Sequence, residues 1–247
     1  MRRSVPALAG LVMPPCDYQP PTYTGPTKAE VAAMRGHYMH PVHATYYKDP
    51  LMAVSGHMQW IYNEKNERFL DFFGGVTTVS VGHAHPRITK VLEEQNRMIN
   101  HTTVLYLNPK VAEFSKAFAE KLPEGEDWVI NVVNSGSEAN DFALLMARNY
   151  TKNYQYVTCR GGYHGFTEGS RGMISALGWK HKVPPPPGII RTIAAHPYRG
   201  ILGTKPEDVD KYLREADEMI RVESGGAVAG MVAERIQGVG GCCKQIK

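Results

Sequence analysis

Several things are scarce in this 247-residue sequence, and each scarcity removes a class of protein. No stretch approaches the roughly 18 uninterrupted apolar residues of a membrane-crossing helix, and no apolar secretory core follows the start. Cysteine occurs only at 16, 159, 242 and 243. That spacing gives no disulfide framework and no C-x-x-C pair for zinc, and it suits a reducing compartment. The formal charge is only +4 and its basic residues are dispersed. No Lys/Arg block interleaves with aromatics, so neither a nucleic acid nor a membrane is expected as a partner. Acidic residues are missing before Asp17, while Arg2, Arg3 and Ser4 stand near the start. A short mitochondrial presequence and an unstructured beginning would both look like this. What is present, 43% hydrophobic and 21% charged residues, is the composition of an ordinary globular protein.

The periodicities predict alternating elements. Residues 14–26 are proline-rich and read as irregular surface chain. Thr27 with Glu30 makes a capping box for a helix through Arg35. His57 to Asp71 reads as a hairpin pairing HMQWIY with RFLDF. Pro86 opens a helix with Ile88, Val91, Leu92 and Gln95 on one face. A second helix follows Pro109, with Val111, Phe114, Phe118 and Leu122 on one side, and Pro123 closes it. WVINVV (128–133) reads as a strand. Ser135 and Glu138 then cap a helix expected to turn Phe142, Leu145, Met146 and Tyr150 inward. YQYVTCR (154–160) is the next strand, and strand–helix–strand argues for a parallel sheet. Residues 182–189 hold four consecutive prolines and read as loop. A helix from Thr204, Pro206 and Glu207 should bury Val209, Tyr212, Leu213, Ala216 and Ile220. AVAGMVAERI (227–236) reads as a buried strand.

Three loops carry chemistry. N-S-G-S-E-A-N (134–140) joins a strand to a helix, where backbone N–H groups lack intrahelical partners and face the positive end of the dipole. Gly136 allows close approach, and Ser135 and Ser137 add hydroxyls, so the turn can cradle a phosphate or simply cap the helix. R-G-G-Y-H-G (160–165) ends the next strand and could hold an aromatic ring against a flat ligand, or be only a turn. A-E-R-I-Q-G (233–238) ends the last strand, and Glu234 there is either solvated or buried beside a cation or cofactor. In an open parallel sheet all three gather at the carboxyl ends of the strands. His83 and His85 form H-x-H between Gly82 and Pro86, a pattern read as structural and not as a metal site.

These stretches, with M-P-P-C-D (13–17), R-F-L-D-F-F-G-G (68–75), V-S-V-G-H-A-H-P (79–86), P-Y-R-G (197–200) and E-R-I-Q-G-V-G-G (234–241), resemble the class III aminotransferases, and among them the mitochondrial alanine–glyoxylate group. The resemblance implies an α/β fold of fold-type I, the pyridoxal-phosphate-dependent transferases, and pyridoxal 5′-phosphate (PLP) as cofactor. It implies a partial fold: an extension over 1–26, a segment of the small domain and dimer interface over 27–100, and an incomplete large domain over 101–247. It also implies that Ser135, Gly136 and Ser137 hold the phosphate and Tyr163 stacks on the ring. His164, Gly75 and Val76 would stand beside the substrate, with Glu234 a substrate-site carboxylate. Amino-acid and 2-oxo-acid substrates, a homodimer and a mitochondrial location complete the expectation.

The pattern departs in two places. Members of the family hold the cofactor through a Schiff-base lysine and place a carboxylate on its pyridine nitrogen, both beyond the stretch matching 234–238. Asp217 and Glu218, the only Asp-Glu pair, fall inside an amphipathic helix, and no lysine stands in a matching motif. The chain is therefore expected to stop short of the lysine and to be inactive alone, either as an incomplete enzyme or as a non-catalytic isoform pairing with a full-length subunit. Arg235 stands where proline is usual and could shift or pair with Glu234. Ornithine, GABA or another ω-amino acid remain alternative donors.

Overall fold

The protein is described by a computed structural model, covering residues 13–43, 45–175, 178 and 183–246. The presequence reading of Arg2, Arg3 and Ser4 lies outside these residues. The chain divides into two units between Pro109 and Lys110.

In the first unit, α1 (Lys28–Tyr38) begins at the expected box. Thr27 Oγ1 accepts from Glu30 N and Thr27 N donates to Glu30 Oε2 at 2.7 Å. The anticipated hairpin forms between β2 (Trp60–Asn63) and β3 (Arg68–Leu70), with Ile61 opposite Phe69. A further strand, β1 (Ala53–His57), pairs antiparallel on the other side of β2. The sequence reading missed it because Ser55 and Gly56 break its apolar alternation. Trp60 and Tyr62 are buried, and the Arg68 guanidinium lies 4.4 Å from the Trp60 ring centroid. Helix α2 (Pro86–Met98) ends this unit's elements, and α3 (Pro109–Ala119) starts at the boundary and belongs to the second; both are opened by proline as expected. Their apolar faces, among them Val91, Leu92 and Phe114, stay exposed.

The second unit is a parallel sheet with helices. β4 (Tyr156–Cys159) is central, flanked in parallel by β5 (Ile189–Thr192) and β6 (Gly230–Val232). Residues 183–188 of the expected proline loop are irregular, and Ile189 leaves it to begin β5. The predicted 227–236 strand shortens to the three residues that pair with β4. Helix α4 (Gly136–Thr151) packs through Leu144 onto Tyr156, Met173 and Ala229. The Tyr156 hydroxyl donates to the Leu144 carbonyl, so burial of that phenol carries no unmet donor. Helix α5 (Glu168–Arg171) lies beside α4. Helix α6 (Val209–Ser224) follows a 3-10 turn at Pro206–Asp208 and packs on β5. Asp217 pairs with Arg221 one helical turn away, a role internal to α6. A two-strand ribbon, β7 (Ile236–Gln237) with β8 (Cys243–Lys244), closes the described chain.

Three expectations need correction. WVINVV forms no strand, because no described neighbour offers it a ladder; Val129 and Val132 are exposed. On α4 the packed residues are Ser137, Asn140, Asp141, Leu144 and Ala147, whereas Phe142, Leu145, Met146 and Tyr150 are exposed. The packed face is polar over its first two turns, so apolar periodicity points to the opposite, exposed face. On α6, Tyr212 is buried as expected but Leu213 is exposed. No helix among the described residues is long and apolar enough to cross a membrane.

Candidate active site

The site grows from three segments that leave the sheet and the start of α4. Ser135 has extended backbone and caps α4 by accepting from Glu138 N at 3.2 Å. Glu138 returns one residue further than a capping box requires, accepting from Asn134 N at 2.7 Å. The N–H groups of Gly136 and Ser137 have no partner among the described residues. A side chain added at Gly136 would meet nothing within 4 Å. Packing within the chain does not demand glycine there, and space stands open over two donors at a helix start.

Segment 160–166 is fastened to α4 by two bonds. Phe166 N donates to Ser137 Oγ at 3.2 Å, and Asn140 Nδ2 donates to the His164 carbonyl at 2.7 Å. Gly165 makes this approach possible: its φ is +109° and a Cβ there would overlap Ser137. The base of the segment is fixed by Ser175, whose Oγ accepts from Gly161 N at 2.8 Å and whose N donates to the Gly162 carbonyl.

The third segment is held as firmly. Glu234 Oε1 accepts from Tyr163 N at 2.7 Å and Oε2 from Gly238 N at 3.0 Å. Arg235 forms no ion pair with it among the described residues. Gln237 is buried and its Nε2 donates to the Arg160 carbonyl at 2.8 Å. Ser137, Tyr163, His164 and Glu234 are thus brought together by one hydrogen-bonded set.

His164 is only 6% exposed, with Nε2 3.3 Å from Thr158 Oγ1. Burial lowers its pKa, and the Glu234 carboxylate opposes that to a lesser degree. The imidazole is therefore held neutral. Tyr163 and Phe166 meet edge to face with centroids 5.4 Å apart. Sequence reasoning missed Asn140, Ser175 and Gln237 as organisers. Asn140 and Gln237 stood inside quoted motifs; Ser175 had no signal at all.

Gly75 and Val76 belong to the first unit. They sit in a run from Gly74 to Thr77 whose four φ angles lie between +56° and +67°. Val76 and Thr77 are β-branched, so this conformation is strained. Asp71 ties the loop by accepting from Phe73 N, Gly74 N and His83 Nε2, at 2.8, 2.9 and 2.7 Å. Those bonds lower the Asp71 pKa, Gly74 N most and His83 next. His83 also exchanges both backbone bonds with Met58.

Comparisons with known proteins follow the same lines. Residues 43–246 match the model of the class-III aminotransferase family. Among relatives, alanine–glyoxylate aminotransferase 2 homolog 2, mitochondrial, of Arabidopsis thaliana is 38% identical over 229 residues, 93% of this chain and 47% of its own. The human mitochondrial alanine–glyoxylate aminotransferase 2 is 33% identical over 248 residues, 93% of this chain and 48% of its own. The chain spans about half the length of the curated relatives it matches. An (S)-enantioselective ω-transaminase from Thermomicrobium roseum has a TM-score of 0.77 at 25% identity, covering 90% of this chain and 53% of that one. A PLP-bound amine transaminase from an uncultivated Pseudomonas species has a TM-score of 0.76 at 21% identity, covering 85% of this chain and 50% of that one, and shows the fold alone. The fold is that of fold-type I PLP-dependent transferases, in part. With its motif order, its three-loop site and a family match across most of its length, this chain belongs to the class III aminotransferases, a PLP-dependent family.

Proposed function

We propose that this chain forms the phosphate-and-ring portion of an aminotransferase that moves the amino group of alanine to glyoxylate. The open start of α4 carries the reading: two unpartnered N–H groups at the positive end of a 16-residue helix, with free space over Gly136. A phosphate monoester fits there by charge and by room. Ser135, Gly136 and Ser137 would hold it, and Tyr163 would hold the ring. PLP bound there supplies an electron sink for the substrate carbon.

The chain's own residues supply position. Glu234 fixes the Tyr163 backbone, Asn140 fixes that of His164, and neutral His164 sets the loop from beneath. Gly75 and Val76 are proposed to line the substrate side. Donor, acceptor and mitochondrial location follow the names of the Arabidopsis and human relatives. The homodimer follows the family resemblance.

Binding of PLP against pyridoxal, followed by quenching of tryptophan fluorescence, tests the phosphate reading. Pyridoxal should bind at least about tenfold more weakly, since charge-assisted bonds to the phosphate are lost. Equal affinity would overturn it. The lysine is proposed to lie in the part of the family's length that this chain does not span. A polypeptide of these 247 residues, given PLP and L-alanine, should show no amino-acid-dependent change in the cofactor's absorbance bands. Such a change would refute that part.

A further inference from the structure

Arg235, the departure from the family-like motif, has a setting of its own. The β7–β8 ladder ends at Ile236 opposite Lys244. Beyond it the two strands diverge. The Gln245 side-chain amide reaches the Glu234 carbonyl at 3.2 Å, and Ile246 N turns away to the Ala195 carbonyl. A cavity of about 330 Å³ opens in the wedge, lined by Ala233, Glu234, Arg235, Lys244, Gln245 and Ile246.

Charge in this wedge is unbalanced. Neither Arg235 nor Lys244 forms an ion pair among the described residues. Glu234 is the one carboxylate among the described lining residues, and two backbone N–H groups, from Tyr163 and Gly238, already engage it. Two cations against one carboxylate leave a net single positive charge. That excess attracts anions. The planar guanidinium fork of Arg235 can meet both oxygens of a carboxylate. The small apolar walls, Ala233 and Ile246, leave room for a short aliphatic stem.

We propose that this wedge is a binding site for the carboxylate of a small monocarboxylic acid, held by Arg235 and Lys244. The site stands apart from the cofactor reading, since it uses neither the start of α4 nor any PLP. A ligand that also bears an ammonium would find Glu234 beside it, because a carboxylate can accept more than the two bonds it has here.

The test is ligand-observed NMR on the full chain without PLP, using L-lactate, L-alanine, L-alaninamide and inorganic phosphate as probes. L-lactate and L-alanine should both give saturable signals, L-alaninamide none, and phosphate a weaker one. L-alanine binding above L-lactate would assign the natural ligand to amino acids; equal binding would assign it to carboxylates generally. The double variant Arg235→Ala/Lys244→Ala should lose at least about fivefold in affinity for L-lactate, and Arg235→Lys should retain most of it. Both residues are exposed, so the variants should keep the wild-type circular dichroism. No saturable L-lactate signal from the wild type, undiminished binding by the double variant, or phosphate binding tighter than L-lactate would each overturn the proposal.

Discussion

Two stretches of similar character, WVINVV at 128–133 and YVTC at 156–159, meet opposite fates. The second is the middle strand of a parallel sheet, with every residue buried and partners on both sides. The first is richer in β-branched residues, yet lies without ladder bonds and largely exposed. Strand propensity describes how well a residue fits a half-buried pleated surface, and the surface must be supplied by neighbours. The ladder, not the composition, decides which of these runs is a strand.

The comparison can be broken most forcefully by charge. Val157→Asp should cost more than about 4 kcal/mol, because it buries an unpaired carboxylate in the central strand, whereas Val132→Asp should stay within about 0.5 kcal/mol. Urea unfolding of both variants checks this. Equal losses would mean that 128–133 is paired in solution.

The same contrast runs along α4. Leu144 is 2% exposed and Leu145 is 62% exposed. Leu144→Ala should therefore cost about 2–5 kcal/mol, and Leu145→Ala less than about 0.5 kcal/mol. Reversed values would restore the inward face expected from periodicity.

Gln237→Ala should have a smaller effect, about 1–3 kcal/mol, by leaving the Arg160 carbonyl without its buried donor. Its distinguishing readout is faster amide exchange at Gly161 and Tyr163, against unchanged exchange in α6. Uniform acceleration would make Gln237 an ordinary core residue.

Acidification gives the mildest test. His164 has a lowered folded pKa, so the unfolded chain takes up its proton first, near pH 6.5. This contribution to stability is intact above that pH and shrinks as pH falls through the window below it. His164→Gln should flatten the slope of stability between pH 7 and 6. An unchanged slope would mean that His164 titrates in the fold as it does in the unfolded chain.

Much of this architecture was legible from local rules. The cap at Thr27, the proline starts of α2 and α3 and the hairpin at Asn63–Asn66 all depend on neighbours within a few residues. The site loops were legible as motifs, because glycine, serine and a strand end together restrict what a turn can do. What escaped was non-local. Strand β5 follows a run of prolines and is strand only because β4 lies beside it. The packed face of α4 was hidden because Ser137, Asn140 and Asp141 begin it, while the apolar stripe lies on the other side. Asn140 and Gln237 act through carbonyls 24 and 77 residues away, a relation no spacing rule encodes.

The account's central claim is that the open start of α4 receives the cofactor's phosphate, and Gly136→Val tests it most directly. A Cβ at that position meets nothing within 4 Å among the described residues, so the variant should fold and unfold as the wild type does. PLP titration of the two proteins, followed by tryptophan fluorescence, should then show saturable binding by the wild type and at least about a tenfold loss in the variant. Unchanged PLP affinity in a folded Gly136→Val protein would contradict the claim.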